Sequence, residues 1–195
     1  METMNSVINK LNQHGSPTLI NRTNIGVAGS GVRASEYGNA YLHTTVLGIS
    51  KIAGLTLADN AALADGHLIY TLPAGAIILN TAYMRVVVTN AEHNGGACEL
   101  GLGTLAATGA IATLTTAAQE NVLTGYASTI GGNTQALDCC NATGSIGGLL
   151  IPTTDAGNIS HNIYLNIAGT WANTAGTALD ADISGAVILN WTFMV

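Results

Sequence analysis

Hydrophobic and polar residues alternate in two stretches of the chain with the two-residue period of a half-buried strand. Over residues 160–167, Ile163, Leu165 and Ile167 fall on one side and Asn162, Tyr164 and Asn166 on the other. Over residues 183–195, Val187, Leu189, Trp191 and Phe193 share a side opposite Asn190 and Thr192. Further strands are expected at Tyr41–Ile49 and at His67–Leu72, the second closed by the turn Pro73-Ala74-Gly75. Ala76–Thr89 predicts one long strand or two joined at Asn80-Thr81, and Ile146–Ile151 ahead of Pro152 predicts a buried one. Asn94-Gly95-Gly96 between apolar runs predicts a hairpin leading into Cys98–Gly103. Only Thr115–Thr124 predicts a short helix, with Thr115 or Thr116 as N-cap and Gln119 or Glu120 three to four residues on.

About six to eight strands separated by Gly, Asn and Thr turns imply an all-β fold, an antiparallel β-sandwich of jelly-roll-like form. The aromatic stock is small, so the core is expected to be Ile, Leu, Val and Ala, with Trp191 and Phe193 packed into it. Residues 1–40 lack this periodicity. Their turn-rich strings predict an extended N-terminal arm, with the β-sandwich body at 41–195.

Composition changes the picture of the surface. Of 195 residues, 48% are hydrophobic and 8% charged, so the exterior must be built from Thr, Asn, Ser, Gly and Ala. Short side chains lose little conformational entropy when a partner immobilises them, which suits a subunit of an assembly. Charge is divided along the chain. Residues 1–51 hold Lys10, Arg22, Arg33 and Lys51 against Glu2 and Glu36, whereas residues 52–195 hold Arg85 against nine acids. A net charge of −6 argues against duplex nucleic acid or an anionic membrane as partner. The strongest apolar run, residues 74–88, is broken by Asn80, Thr81 and Arg85, so no membrane span is expected. The opening residues lack the basic and apolar regions of a secretory signal.

Catalytic patterns are missing. Gly29-Ser30-Gly31 lacks the spacing of a nucleophile elbow, and the five histidines form no zinc-binding pair on a helix. Gly26-x-x-Gly29-x-Gly31 lacks the Lys-Ser/Thr of a phosphate loop. Asp65-Gly66-His67 reads as a turn followed by a strand start, and the near-neighbour acids are Glu92 with Glu99 and Asp180 with Asp182. Cys98, Cys139 and Cys140 are expected to be reduced thiols, with one bridge from Cys98 conceivable in oxidising surroundings. The chain is therefore expected to be no enzyme and to need no cofactor.

Tyr70-Thr71-Leu72-Pro73-Ala74-Gly75-Ala76-Ile77-Ile78-Leu79 and Ile183-Ser184-Gly185-Ala186-Val187-Ile188-Leu189-Asn190-Trp191-Thr192-Phe193 resemble the head decoration (cement) proteins of tailed bacteriophages and related jelly-roll virion proteins. The resemblance is one of texture over residues 66–90 and 160–195. It implies a virion structural protein made in the host cytoplasm, a trimer or dimer on the capsid exterior that ties major capsid protein subunits together. In that setting Arg22, Arg33, Tyr37 and Tyr41 are the expected partner-binding residues, because Arg and Tyr are enriched at interface hot spots. Two alternatives fit the same surface. One is a receptor- or carbohydrate-binding module of a tail fibre or adhesin, with Trp171 stacking on glycan, and the other is a shell-forming jelly-roll capsid subunit.

Overall fold

In its computed structural model the chain is described over residues 18–19, 26–38, 42–57, 64–90, 96–114, 117–130, 134–137, 148–155, 159–169 and 179–194. Thirteen strands make two antiparallel sheets among these residues. The first sheet holds β1 (Thr18–Leu19), β3 (Val32–Gly38), β4 (Leu42–Leu57), β13 (Leu179–Phe193), β6 (Ile77–Asn90) and β10 (Thr134–Leu137) in that order, with β11 (Leu149–Ile151) also on β6. The second runs β2 (Val27–Ala28), β5 (Ala64–Thr71), β12 (Asn162–Gly169), β7 (Gly96–Gly103) and β9 (Leu123–Ile130), with β8 (Thr108–Gly109) also on β5.

The pairing has a simple logic. β4 pairs with β13, β5 with β12, β6 with β10 and β7 with β9, so the first half of the chain meets the second half in reverse order. That is a long antiparallel ribbon folded over itself into two sheets, the connectivity of a jelly roll.

The core lies between the sheets because alternate residues of each strand point inward. Leu47, Leu79, Met84, Val187, Leu189 and Trp191 of the first sheet meet Ile69, Tyr70, Leu100, Leu102, Ile163 and Leu165 of the second, and all twelve are buried. The alternation expected at Ile163, Leu165 and Ile167 and at Val187, Leu189 and Trp191 is present. Trp191 stacks on His43 at 3.9 Å, and its Nε1 donates to Thr45 Oγ1 at 2.9 Å, so the indole is buried without an orphaned donor.

Three details differ from the expectations. Asn94-Gly95-Gly96 does not join paired strands: β6 and β7 belong to different sheets, because each is drawn to partners from the C-terminal half. The expected helix is a 3₁₀ turn, Ala117–Gln119, and the buried Leu123 already begins β9. Asn80-Thr81 does not split β6; a register shift opposite Asn190 and Trp191 absorbs one residue there.

The segment expected as an arm enters both sheets at its C-terminal end, since β2 pairs with β5 and β3 runs the length of β4's first half. Its inward side holds Val32, which packs against the core, then an exposed Ala34 and the buried Glu36, so the strand period is hidden from a hydrophobicity reading. Glu36 Oε1 accepts from the Gly26 amide at 3.1 Å, and the same amide reaches the Tyr70 hydroxyl at 2.9 Å, tying the two sheets together. Burial pushes the Glu36 carboxyl above the ordinary glutamate range, with bonds from Gly26 and Thr45 opposing the shift.

Candidate interaction face

The outer faces of the two sheets are treated differently. On the second sheet, Asn166 lies opposite Gly66 and Gly101, on the side away from the core, yet it is fully buried. Residues 104–114 and 117–122 cover it. Asn166 Oδ1 accepts from the Ala107 amide at 2.9 Å, and Nδ2 donates to the carbonyls of Leu105 at 3.0 Å and Gln119 at 2.6 Å. Glu99 Oε2 accepts from the Leu114 amide at 2.7 Å, and Leu114, Ala107, Ala64 and Ala168 form a small second core beneath. Glycine is required here. A Cβ on Gly103 would stand 2.2 Å from the Gln119 carbonyl carbon, so backbone lies directly on the sheet.

The first sheet carries no such cover among the described residues. Register places its outward residues in four rows across β3, β4, β13, β6 and β11. Leu42, Thr192, Ile78 and Leu150 form one; Tyr37, Thr44, Asn190 and Thr81 the next; Ser35, Val46, Ile188 and Tyr83 the third; Arg33, Gly48, Ala186 and Arg85 the fourth. Leu42 is 58% exposed, Leu150 50%, Tyr37 39% and Tyr83 38%. The second row is locked as a ladder: Thr44 donates to Asn190 Oδ1 at 2.8 Å and Asn190 Nδ2 donates to Thr81 Oγ1 at 2.7 Å. Two apolar rows thus flank a fixed polar one, and no outward position of the four rows is a carboxylate.

Arg33 and Tyr37, expected to bind a partner, both point outward on this face from alternate positions of β3. Arg22, Tyr41 and Trp171 lie outside the described residues, as do Cys139 and Cys140. The face also contains Leu42, Tyr83, Arg85, Ile188 and Asn190, which sequence reasoning passed over. Their signal was available in the strand period, because Ile188 and Tyr83 occupy outward positions where a solvated sheet carries charge.

Other candidates resolve as structural groups. Asp65 Oδ1 accepts from the Gly66 amide, and His67 Nε2 lies 3.0 Å from the Ser30 carbonyl. His161 Nδ1 sits 2.7 Å from Asp155 Oδ1 and Nε2 2.9 Å from the Gly75 carbonyl, pinning two turns; its bond holds the Asp155 carboxyl below the usual range. Among the described residues no three His, Cys, Asp or Glu side chains gather within reach of one metal ion. Comparison with protein-family models, with curated proteins and with solved structures gives no match to this chain.

Proposed function

We propose that the chain is a non-enzymatic virion structural protein that decorates the outside of a phage head and ties major capsid protein subunits together. The observation that carries this reading is the asymmetry between the faces. A chain that straps one sheet with its own backbone and, among the described residues, lays no segment over the aliphatic and tyrosine rows of the other has a surface shaped for a partner. A jelly-roll-like sandwich serves as a rigid platform for such a face, although the fold itself hosts many functions.

The size of the face bears on assembly. Four rows at about 6.8 Å and three strand spacings at about 4.8 Å give roughly 20 by 14 Å, on the order of 300 Å². A standard stable interface takes about 800 Å² from each partner. One face therefore docks weakly, and a dimer or trimer presenting several faces to a repeating shell gains about 10²–10⁴ in avidity. Light scattering of the purified chain and co-sedimentation with undecorated heads test the reading. It predicts an oligomer that saturates the shell and raises its rupture temperature; a chain that leaves the heads unbound contradicts it.

A further inference from the structure

His161 immediately precedes β12, and its ring reaches two other connections between the sheets. Nδ1 lies 2.7 Å from Asp155 Oδ1, in the segment that follows β11, and Nε2 lies 2.9 Å from the carbonyl oxygen of Gly75, in the turn from β5 to β6. The backbone of His161 is tied to the same two places: its amide donates to Asp155 Oδ1 at 3.0 Å, and its carbonyl accepts from the Leu72 amide at 2.9 Å. The ring is largely buried, with 12% of the side chain exposed, whereas Asp155 is open to solvent.

Both ring nitrogens therefore face acceptors. A carbonyl oxygen never donates a hydrogen bond, and neither does an ionised carboxylate. A neutral imidazole has one N–H and satisfies one of the two; the imidazolium has two and satisfies both. The carboxylate is the stronger acceptor, so a neutral ring keeps its proton on Nδ1. Nε2 then turns a lone pair on the Gly75 oxygen, and that contact opens. We infer that His161 is a proton-operated clasp: charged, it fastens the β5–β6 turn and the segment after β11 to the head of β12, and neutral, it lets go of the β5–β6 turn. The inference is independent of what the bare face binds.

The released turn is joined to the end of β13. The Met194 amide donates to the Ala76 carbonyl at 2.9 Å, and a Cβ on Gly75 would stand 3.3 Å from the Phe193 ring. Phe193 in turn packs edge-on against Trp191 at 5.1 Å and His43 at 5.2 Å. The described segments that meet at the ring are 72–76, 152–155 and 159–162, and Asp155 is the one carboxylate or cationic side chain they bring to it; His43 lies behind Phe193. The clasp is thus complete at acid pH and loses its Gly75 arm as pH rises through about 5 to 8, the span in which histidine changes charge.

The test is a titration of the full-length chain, labelled with ¹⁵N, followed by nuclear magnetic resonance from pH 5 to 8.5. The His161 ring is expected to show two N–H groups at pH 5 and one at pH 8.5, on Nδ1. The amides of Gly75, Ala76 and Met194 are expected to shift along the same curve as the ring. His161→Gln has no titrating ring and is expected to lose the response of all three amides, which separates it from any effect of His43. Asp155→Ala removes the acceptor at Nδ1 from an exposed position. Its neutral ring is expected to carry the proton on Nε2, to keep the Gly75 bond across the whole range, and to leave the three amides unmoved. Amides of Gly75, Ala76 and Met194 that stay fixed in the wild type overturn the inference. So does a neutral wild-type ring protonated on Nε2, or a response that persists unchanged in His161→Gln or in Asp155→Ala.

Discussion

Replacing Asn166 tests whether the second sheet is closed by its own chain. The side chain is fully buried and makes three hydrogen bonds, all to backbone of the covering segment. Asn166→Ala leaves the Ala107 amide and the Leu105 and Gln119 carbonyls without these partners. Each buried group left unsatisfied costs about 1–3 kcal/mol, and a surface segment recovers part of this by shifting toward water. The expected loss is about 3–5 kcal/mol, a large share of the roughly 5–15 kcal/mol of a typical domain. Asn166→Leu keeps the volume and removes only the polar groups, so it separates the hydrogen bonds from the cavity. Denaturant unfolding gives the energy, and amide hydrogen exchange over residues 104–122 gives the place. Both variants are expected to lose protection there first. A loss under about 1 kcal/mol with Ala107 still protected would refute the strap as an energetic unit.

The remaining predictions concern single groups. Glu36→Gln removes a carboxyl whose folded pKa is raised, so wild-type stability falls as pH rises through and above the ordinary glutamate range while the variant shows no such fall and is the more stable at neutral pH; melting temperature against pH reads this. Thr45→Val leaves the buried Trp191 Nε1 donor unpaired and is expected to cost about 1–3 kcal/mol in denaturant unfolding. Gly48→Ala is expected to stabilise by up to about 1 kcal/mol, whereas Gly103→Ala destabilises because its Cβ would enter the Gln119 backbone. A common sign for the two glycines would contradict the packing described.

Much of the fold was legible because the inward residues of β12, and of β13 from Val187 onward, are large and alternate. β3 was illegible for the opposite reason, since a small Ala34 and the carboxylate of Glu36 follow Val32 on its inward side, and Glu36 takes hydrogen bonds from Gly26 and Thr45 that the sequence does not show. The hairpin expected at Asn94-Gly95 failed because a turn sequence permits a reversal without choosing the sheet that follows. Of the face, Arg33 and Tyr37 could be singled out by residue type. That Ile188, Tyr83 and Arg85 share it depends on register across four strands, and the cover over Asn166 depends on a segment nearly fifty residues away.

The central claim is that the bare face of the first sheet holds the capsid shell. Co-sedimentation of undecorated heads with wild type and with Ile188→Glu tests it most directly, because Ile188 points outward at the centre of the four rows and its replacement leaves the core untouched. The account predicts saturable binding by the wild type and loss of binding by a variant with an unchanged melting temperature. Equal binding by both, or none by the wild type, would contradict it.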